Sequence, residues 1–384
     1  MYNKGKILIV ENFGFDFWES RKSLALKLIE LGYEVHALIP NDGYGEQLGN
    51  LGIKVNSYSL DRSNKGIFQI VKLILIYRRL FLREKFDIIH SFRFQPNLVS
   101  CFSKIGVPNT KLILHITGLG IAFSSNQLKY LFLRWVSQVL YIFKFSVCDK
   151  VIVQNPDDLK TLVANRFFSE RSIIIEGSGV DMDKFIKSNS NIREELGLLN
   201  TDIVFLCITR LIWQKGILEL INSFKSIQKD FEGCKLLIVG WPDFDNPEHI
   251  PLSHFESLDK TSNIAFLGKR NDVVNILSGA DVYIYPSYYR EGIPRSILEA
   301  LSIGLPVIAT NTPGCNLTVD DEINGLLIEP KSSAKIYGAV TWIMKNKNKL
   351  KEMGRQSRLL AEKRFSMNII FSQIIDVYTQ LLLL

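Results

Sequence analysis

Short apolar runs rich in branched side chains alternate along this chain with longer amphipathic stretches, and the whole alternation occurs twice. In the first half the runs are Lys6–Val10, Glu34–Ile39, Asp87–His90, Leu112–Ile116 and Lys150–Val153. In the second half they are Ile203–Ile208, Lys235–Val239, Ile264–Leu267, Val282–Tyr285 and Val307–Ala309. Buried strands separated by helical stretches are typical of parallel sheets covered by helices. The pattern therefore predicts an α/β protein with two doubly wound, Rossmann-like sheets in tandem.

The length of 384 residues also exceeds what one hydrophobic core usually organises. We expect a first domain over residues 1–180, a second over residues 181–365 and a closing segment over residues 366–384. The five cysteines are scattered and form no Cys-x-x-Cys pair, so neither a disulfide framework nor a zinc site is predicted. Because the chain also does not open with a signal-peptide pattern, we expect the protein in the cytoplasm.

Charge is distributed unevenly between the two halves. Residues 1–180 carry 23 basic and 15 acidic side chains, whereas residues 181–384 carry 23 basic and 24 acidic ones. Such asymmetry indicates an anionic partner of the first half. Because the chain shows no nucleic-acid-binding motif, we expect an anionic membrane surface and not nucleic acid.

The stretch 65–85 supports this expectation, because its basic residues recur at helical spacing. Lys65, Lys72, Arg79 and Arg83 share one helical face, opposite the apolar Ile67, Ile70, Ile74 and Phe81. The pattern fits a basic amphipathic helix at a membrane surface, and it equally fits a sheet-covering helix with a solvated charged side. A second apolar stretch, 131–148, is interrupted by Arg134 and Lys144 and is not expected to span a bilayer.

The segment Pro286–Leu301 follows a predicted strand and opens a predicted helix near Pro294. It carries Glu291 before the helix and Glu299 inside it, and Gly292 allows close approach of the backbone to a ligand. N–H groups of a first helical turn bind anions, and carboxylates accept hydrogen bonds from hydroxyls. The combination is typical of a sugar-nucleotide pocket, although a capped helix with two surface glutamates fits the carboxylates alone equally well.

Two motifs in this half resemble a known family. Glu291–Ala300 resembles the Glu-x7-Glu signature of family-four retaining glycosyltransferases with the GT-B fold, and Thr209–Gly216 is similar to their Arg-Leu-x3-Lys-Gly segment. The segments 239–247, 268–273 and 312–315 are most similar to a bacterial subgroup that extends saccharides on undecaprenyl diphosphate. The resemblance implies GT-B architecture, with two Rossmann-like domains facing across a ligand cleft and a last helix that crosses back to the first domain.

The resemblance also implies the donor site. Arg210 and Lys215 would neutralise the donor diphosphate, Glu291 would bind a hydroxyl of the donor sugar, and we take these three as catalytic. Glu299 would bind the ribose. The donor-binding residues so implied are Gly216, Gly268, Arg270, Gly292, Ile293, Pro294, Arg295, Glu299, Thr312, Pro313 and Gly314. Taken alone, the basic residues among them fit ordinary surface side chains as well.

The acceptor is implied on the first domain. His90–Asn97 and Thr117–Gly120 are similar to loops of the bacterial subgroup, and Glu19–Arg21 partly matches its Ser-His-Arg segment. The acceptor residues so implied are Arg21, His90, Asn97, His115, Thr117 and Gly118. Where many relatives have His-Gly or His-Asp, this chain has Thr-Gly, and we interpret His115 as a buried, hydrogen-bonded strand residue.

Together these features predict an enzyme that transfers a sugar from a UDP-sugar to an undecaprenyl-diphosphate-linked saccharide with retention of configuration. The donor is expected to be a UDP-N-acetylhexosamine or a UDP-hexose. No cofactor and no metal are expected, since no Asp-x-Asp follows a strand and basic side chains can neutralise the diphosphate. The resemblance implies bacterial polysaccharide or glycan assembly, peripherally on the inner face of the plasma membrane. The alternatives are a GT-B membrane scaffold that binds nucleotide without turnover and a sugar-nucleotide epimerase.

Overall fold

The computed structural model describes residues 4–59, 66–124, 127–162, 169–244, 246, 248–256 and 263–383. The chain divides into two compact units, and we call Met1–Ser178 with Ile370–Leu384 the first unit and Gly179–Ile369 the second. The predicted domain boundaries, after residue 180 and before residue 366, lie close to these divisions. Each unit holds one parallel sheet, so the predicted class of two doubly wound α/β sheets is confirmed.

Seven strands form the sheet of the first unit. They are β1 Lys6–Val10, β2 Glu34–Pro40, β3 Lys54–Tyr58, β4 Ile88–Phe92, β5 Lys111–Ile116, β6 Lys150–Val153 and β7 Ser172–Ile174. Their order is β3-β2-β1-β4-β5-β6-β7, and every pairing is parallel. The central strands β1, β4 and β5 are almost entirely buried, which explains their continuous apolar pattern. Strand order reverses between β1 and β4, so a crevice opens at the carboxyl ends of these two strands.

Helices cover this sheet. They are α1 Gly14–Ser20, α2 Lys22–Glu30, α3 Gly45–Gly49, α4 Ile67–Glu84, α5 Phe94–Lys104, α6 Leu128–Val147 and α7 Pro156–Leu162. Helix α5 lies between α4 and α6, because Ser103 Oγ donates to the carbonyl of Ile74 at 3.1 Å and the ring of Phe102 stacks on Phe143 at 4.5 Å. These three helices therefore form one continuous layer.

The second unit repeats the arrangement with six strands and seven helices in the described ranges. The strands are β8 Ile203–Ile208, β9 Cys234–Val239, β10 Ile264–Phe266, β11 Val282–Tyr285, β12 Val307–Thr310 and β13 Gly325–Ile328. The helices are α8 Ile192–Glu195, α9 Ile217–Ile227, α10 Ser253–Glu256, α11 Val273–Gly279, α12 Arg295–Ile303, α13 Ser333–Lys345 and α14 Leu350–Leu360. Strand order is β10-β9-β8-β11-β12-β13, all parallel, and it reverses between β8 and β11. A second crevice therefore opens at the carboxyl ends of β8 and β11.

Three strands, β3, β7 and β13, were not predicted from the sequence, and each of them lies at an edge of its sheet. An edge strand has a neighbour on one side only, so its residues need not form a fully buried apolar run. In β3 the polar residues Lys54, Asn56 and Ser57 are at most half-buried, and β7 has no buried residue. The weak hydrophobic pattern of β3 and β7 is the reason these two strands were missed, whereas β13 is apolar and mostly buried.

A long helix closes the chain. Helix α15, Met367–Leu382, begins at the end of the second unit, and from Ile370 onward it belongs to the first. Its Tyr378 is fully buried and bonds to His90 of β4. The return of the last segment to the first unit thus rests on specific packing within that unit.

The predicted amphipathic helix is α4, except that Lys65 lies outside the described residues. Lys72, Arg79 and Arg83 are exposed, and Phe81 on the opposite side is fully buried. Ile67, however, is exposed and not packed against the sheet, because it lies in the first turn, beyond the reach of the core. None of the described helices combines the length and apolar character that crossing a bilayer requires.

Candidate active site

Lys215 and Glu291 form a buried ion pair at the reversal of strand order in the second unit. Lys215 lies in a 3₁₀ turn, Trp213–Lys215, in the connection after β8, and Glu291 lies in the loop after β11. The side chains are 4% and 18% exposed, respectively. The parallel sheet therefore brings together two residues that are far apart in the sequence.

Two hydroxyls complete this cluster. Lys215 Nζ donates to the hydroxyl of Tyr285 at 2.6 Å, and that hydroxyl donates to Glu291 Oε1 at 2.9 Å. Ser287 Oγ donates to the same carboxylate oxygen at 3.0 Å. One oxygen of Glu291 thus accepts three hydrogen bonds, which fixes the carboxylate in one orientation.

Burial and charge act in opposite directions on this pair. Burial lowers the pKa of Lys215 below its ordinary value, and the charge of Glu291 offsets this only in part. Burial raises the pKa of Glu291, but the Lys215 ammonium and the two hydroxyls outweigh that effect, so the pKa of this carboxyl lies below its ordinary value. The carboxyl is therefore ionised near neutral pH, and Lys215 is a cation that burial can neutralise.

The loops around the ion pair touch through their main chains at two glycines. Gly216 has φ +70°, and a Cβ there would lie 2.2 Å from the carbonyl oxygen of Pro286. Gly314 has φ +83°, and a Cβ there would lie 1.5 Å from the carbonyl oxygen of Gly292. Any side chain at either position would separate these loops. The structure thus brings the predicted donor residues Gly216, Gly292 and Gly314 into one cluster.

Thr312 and Pro313 belong to the same cluster, since the loop that carries them follows β12. Thr312 Oγ1 donates to the carbonyl of Ser287 at 3.3 Å, and Thr310 bonds to the same oxygen. The loop after β12 is therefore anchored to the loop that holds Glu291.

Arg210 follows β8 closely and pairs with Asp243, with 2.7 Å between Nη1 and Oδ2. Its side chain is 42% exposed, in contrast to Lys215. Burial lowers the pKa of Arg210, but the charges of Asp243 and Glu291 outweigh burial and leave that pKa above its ordinary value. Arg210 is thus a permanent, accessible cation beside the buried pair.

Helix α12 begins at Arg295, with Pro294 as the residue before it, in keeping with the predicted start near Pro294. Arg295 and Glu299 face each other one turn apart, with Nη2 3.3 Å from Oε1. Ile293 packs into the core of the second unit, so only its main chain is placed to contact a ligand. Glu299 lies on the same helix that follows the Glu291 loop.

Gly268 and Arg270 lie in the loop after β10. The Gly268 carbonyl accepts from the N–H of Gly240 at 2.9 Å. Arg270 is bonded to Glu195 at 2.6 Å and to Asp272 at 2.8 Å. In this structure Arg270 therefore belongs to an ion-pair group of its own, and not to the Lys215–Glu291 cluster.

The first unit holds a different ionic cluster at its own reversal of strand order. Glu11 follows β1 directly and is fully buried between Arg21, 3.3 Å away, and Arg93, 3.0 Å away. Arg93 also pairs with Asp16 at 2.8 Å, and the Arg21 guanidinium lies 3.8 Å over the ring of Phe92. Arg93 has φ +71°, a backbone conformation that is unfavourable for a residue with a side chain. The ion pairs hold it there.

Burial dominates the titration of this cluster. It lowers the pKa of Arg21 to about 10, which leaves the guanidinium protonated at neutral pH. It also raises the pKa of Glu11, while the charges of Arg93 and Arg21 oppose that rise. The ionised form of Glu11 therefore depends on both arginines.

His90 and His115 form a buried chain of hydrogen bonds below this cluster. Tyr378 Oη lies 2.6 Å from His90 Nδ1, His90 Nε2 lies 3.3 Å from His115 Nδ1, and His115 Nε2 lies 3.3 Å from Gln154 Nε2. Burial lowers the pKa of both imidazoles well below their ordinary value, so both rings are neutral. His115 is a buried, hydrogen-bonded strand residue, as expected. Because both rings are fully enclosed, neither presents an atom at the surface of the unit.

The other acceptor residues implied by the sequence lie around this chain. Asn97 of α5 donates to the carbonyl of His115 at 3.1 Å, and its Oδ1 is buried with no hydrogen-bond partner among the described residues. Thr117 and Gly118 follow β5 and are half-buried. The structure thus brings together Arg21, His90, Asn97 and His115 within the first unit.

The family model described as "Glycosyl transferases group 1" matches residues 188–360, which is most of the second unit. The match includes both motifs whose side chains form the Lys215–Glu291 cluster. Residues 188–360 therefore belong to the group 1 glycosyltransferase family.

Curated relatives agree with this assignment. The glycosyltransferase is 23% identical over 383 residues to the N,N'-diacetylbacillosaminyl-diphospho-undecaprenol alpha-1,3-N-acetylgalactosaminyltransferase of Campylobacter jejuni, covering 98% of this chain and 99% of that one. It is 29% identical over 273 residues to the UDP-Gal:alpha-D-GlcNAc-diphosphoundecaprenol alpha-1,3-galactosyltransferase of Escherichia coli, covering 69% and 68% of the two chains. The named activities of these relatives do not favour the scaffold or epimerase alternatives.

Solved structures share the fold of the glycosyltransferase. Anabaena Alr3699/HepE in complex with UDP and glucose superposes with a TM-score of 0.80 at 20% identity, over 98% of this chain and 99% of that one. Sucrose-phosphate synthase from Thermosynechococcus elongatus superposes with a TM-score of 0.83 at 19% identity, with 98% and 99% coverage. These similarities confirm the predicted GT-B fold class.

Five residues of the two clusters were not predicted from the sequence. They are Tyr285, Ser287 and Asp243 in the second unit and Glu11 and Arg93 in the first. Glu11 and Arg93 directly follow β1 and β4, the strands between which the strand order reverses. Polar residues at the ends of such strands are the signal that would have found them. Tyr285 gave no such signal, because its hydroxyl is the polar end of a side chain that otherwise belongs to the core.

Proposed function

We propose that this glycosyltransferase transfers a sugar from a UDP-sugar, with retention of configuration, to a saccharide linked to undecaprenyl diphosphate. The main support for a UDP-sugar site in the second unit is the Lys215–Glu291 ion pair at the reversal of strand order, with the exposed Arg210 beside it. The donor class we propose is a UDP-N-acetylhexosamine or a UDP-hexose, in keeping with the named activities of the relatives.

Transfer breaks the bond between the sugar and the diphosphate, so negative charge grows on the leaving group. We assign Arg210 and Lys215 to that charge, because a fixed cation in a site shielded from water stabilises it strongly. Lys215 Nζ donates to Tyr285 and to Glu291, and an ammonium offers three N–H donors. The remaining donor is assigned to a phosphate oxygen.

The carboxylates are assigned to hydroxyls of the donor. Glu299 on α12 would accept from the ribose, and Glu291 would accept from the transferred sugar while it also orients Lys215. The close glycine contacts at Gly216 and Gly314 would keep backbone near the diphosphate. We retain Gly268 among the donor residues, and Arg270 would have to leave Glu195 or Asp272 to contact a base.

The acceptor is assigned to the first unit. The exposed edge of its ionic cluster is Arg93, whose side chain is 37% exposed and is oriented by Glu11 and Asp16. We add Arg93 to the acceptor residues Arg21, Asn97, Thr117 and Gly118, with the diphosphate of the lipid as its partner. The buried His90 and His115 would act by positioning the strand ends.

We further propose that transfer needs no metal and takes place at the cytoplasmic face of a bacterial membrane, to which the enzyme binds peripherally. A lipid-linked acceptor keeps its chain in the bilayer, since each CH₂ moved into water costs about 0.8 kcal/mol. The excess of basic side chains in residues 1–180 supports binding to an anionic membrane surface.

Mass spectrometry of lipid-linked products tests this proposal. The enzyme is incubated with single UDP-sugars and undecaprenyl-diphosphate-linked mono- and disaccharides, with and without excess EDTA. We expect one donor to add one sugar and release UDP, equally in EDTA, and NMR of the product to show the anomeric configuration of the donor. The Arg210→Ala variant serves as the low-activity control. Absence of product with every donor, or an epimerised nucleotide sugar in its place, would contradict the proposed function.

A further inference from the structure

Helix α6 exposes an apolar stripe from Leu128 to Ile142. Leu128, Phe132, Trp135, Val139 and Ile142 follow one another at intervals of three and four residues, so they lie on one face. Each of them is exposed in the described structure, Phe132 by 67% and Trp135 by 61%. Large exposed apolar patches of this kind mark surfaces that bind a protein or a membrane.

Two of the three charges of this helix, Arg134 and Lys144, are turned away from the stripe, and the third, Lys129, is exposed in the first turn. Arg134 donates from Nε to the carbonyl of Ala122 at 3.2 Å. Lys144 is fully buried, with Nζ 3.2 Å from the carbonyl of Phe94 and 3.4 Å from the centre of its ring. The exposed face of α6 is therefore more apolar than the sequence of the helix indicates.

The apolar surface continues across the neighbouring helices. Between α6 and α4, helix α5 exposes Phe102, which stacks on Phe143 of α6. On α4 the exposed Val71 and Leu75 lie on the flank nearer α5, since Ile74 and Arg78, which both bond to Ser103 of α5, are close to them around the helix. The three helices thus present one apolar surface.

Basic residues border this surface on its far side. Lys72, Arg79 and Arg83 of α4 are exposed on the flank that is turned away from α5. An apolar face bordered by basic side chains is the pattern of helices that lie in the plane of a membrane interface, with apolar groups among the acyl chains and cations at anionic headgroups. A surface that binds a second protein would not need this separation of apolar and basic flanks.

We propose that the apolar face of α6 inserts into the interface of an anionic lipid bilayer and that the basic flank of α4 binds the headgroups beside it. The inference rests on the proposed function only in that a lipid-linked acceptor supplies the reason for membrane contact. It differs from binding by charge alone, because apolar insertion persists at high salt whereas attraction between charges is screened.

Vesicle sedimentation tests this with the full chain. The double variant Phe132→Glu/Trp135→Glu changes two exposed positions of α6. Its matched control, Ile186→Glu/Leu199→Glu, changes two exposed apolar positions of the second unit, which are 51% and 65% exposed. A third variant, Lys72→Glu/Arg79→Glu/Arg83→Glu, reverses the basic flank. Vesicles contain phosphatidylcholine with or without phosphatidylglycerol, at physiological salt and at about 1 M salt, where the Debye length falls to about 3 Å.

We expect wild type and the control to bind phosphatidylglycerol vesicles and to stay partly bound at high salt. The α6 variant should bind more than about tenfold more weakly at both salt concentrations, because two carboxylates would have to enter the interface. The basic-flank variant should bind vesicles more weakly than wild type at physiological salt and about equally at high salt, because it lacks only the electrostatic attraction that salt screens. Brominated lipids should quench wild-type tryptophan fluorescence but quench Trp135→Phe much less, since Trp135 would be the inserted indole.

Three results would overturn the proposal. They are unchanged vesicle binding by the α6 variant, no vesicle binding by wild type, and a wild-type dimer that the α6 variant converts to monomer without any effect on vesicles. The last result would assign the stripe to a second copy of the chain. Transfer to a short-chain, water-soluble acceptor reports the enzymatic function separately. If wild type does not transfer a sugar to this acceptor, the proposed function is contradicted, and the vesicle experiment still reports membrane binding.

Discussion

The two units place a glutamate against basic side chains at the same topological position, yet the two clusters differ in what they can do. In the first unit Glu11 is fully buried between Arg21 and Arg93, whose charges are permanent. In the second unit Glu291 pairs with Lys215, whose pKa burial lowers, and shares one oxygen with two hydroxyls. A lysine that loses its counter-charge can release its proton, whereas an arginine cannot.

Because of this difference, the charges of the first cluster are fixed, whereas those of the second can change when a ligand binds. An arginine-bound carboxylate keeps its charges in place whatever binds nearby. A lysine–glutamate pair can redistribute charge when a diphosphate arrives, because the ammonium then has two anions to bind. We therefore infer that the second cluster is suited to chemistry and that the first mainly orients Arg93 at the edge of its unit.

The largest expected effect comes from removing the first carboxylate. Glu11→Gln leaves two guanidinium groups without their shared counter-charge, and we expect a loss of about 3 kcal/mol in the stability of the first unit. Glu291→Gln should cost less stability, because Lys215 can become neutral. Hydrogen-exchange mass spectrometry of β1 and β11 measures the stability of the first and the second unit separately. Equal losses in the two variants would contradict the proposed difference between arginine and lysine.

Removing the cations of the second unit should act on turnover. Arg210→Ala and Lys215→Ala should each lower kcat by roughly a hundredfold, since both act on charge that grows in the transition state. Arg210→Ala should leave the melting temperature nearly unchanged, whereas Lys215→Ala should lower it, because Glu291 then stays buried without its cation. Arg355→Ala, at an exposed ion pair of the same unit, is the matched control. Normal rates in both variants would refute the donor assignment.

Of the two substrates, the exposed cation of the first unit should affect only the acceptor. We expect Arg93→Ala to lower kcat/KM for the lipid-linked acceptor about tenfold, as the loss of one charge-assisted hydrogen bond predicts. Calorimetric binding of UDP should not change. A loss of UDP affinity in this variant would mean that the two clusters do not divide the substrates between them.

The smallest effect is expected at the ribose. Glu299→Gln keeps one acceptor oxygen but loses the charge, so we expect UDP to bind about fivefold more weakly. Isothermal titration calorimetry measures the affinity for UDP. Glu362→Gln is the matched control, because Glu362 also pairs with an arginine one helical turn away. Unchanged affinity in Glu299→Gln would count against its role at the ribose.

Much of this architecture could be predicted from the sequence alone. The central strands are buried on both faces, so their apolar runs are continuous and their positions were predicted nearly to the residue. The residues Arg210, Lys215, Glu291 and Glu299 could be predicted as donor residues because they lie at fixed spacing from strand ends and within recognisable motifs, and their role stays a prediction. The division into two units followed from chain length and the repeated alternation.

Only the tertiary structure decided which side chains meet and which face water. Tyr285 and Ser287 share an oxygen with Lys215 because strand pairing and loop packing bring these segments together, and no local spacing encodes that contact. For Lys144, too, the sequence alone does not tell whether the side chain faces water. In the sequence it interrupts an apolar helix as a charge, whereas in the fold it is buried against Phe94 and leaves the outer face of α6 apolar. The direction of a side chain depends on what packs around its helix, and that is a property of the whole unit.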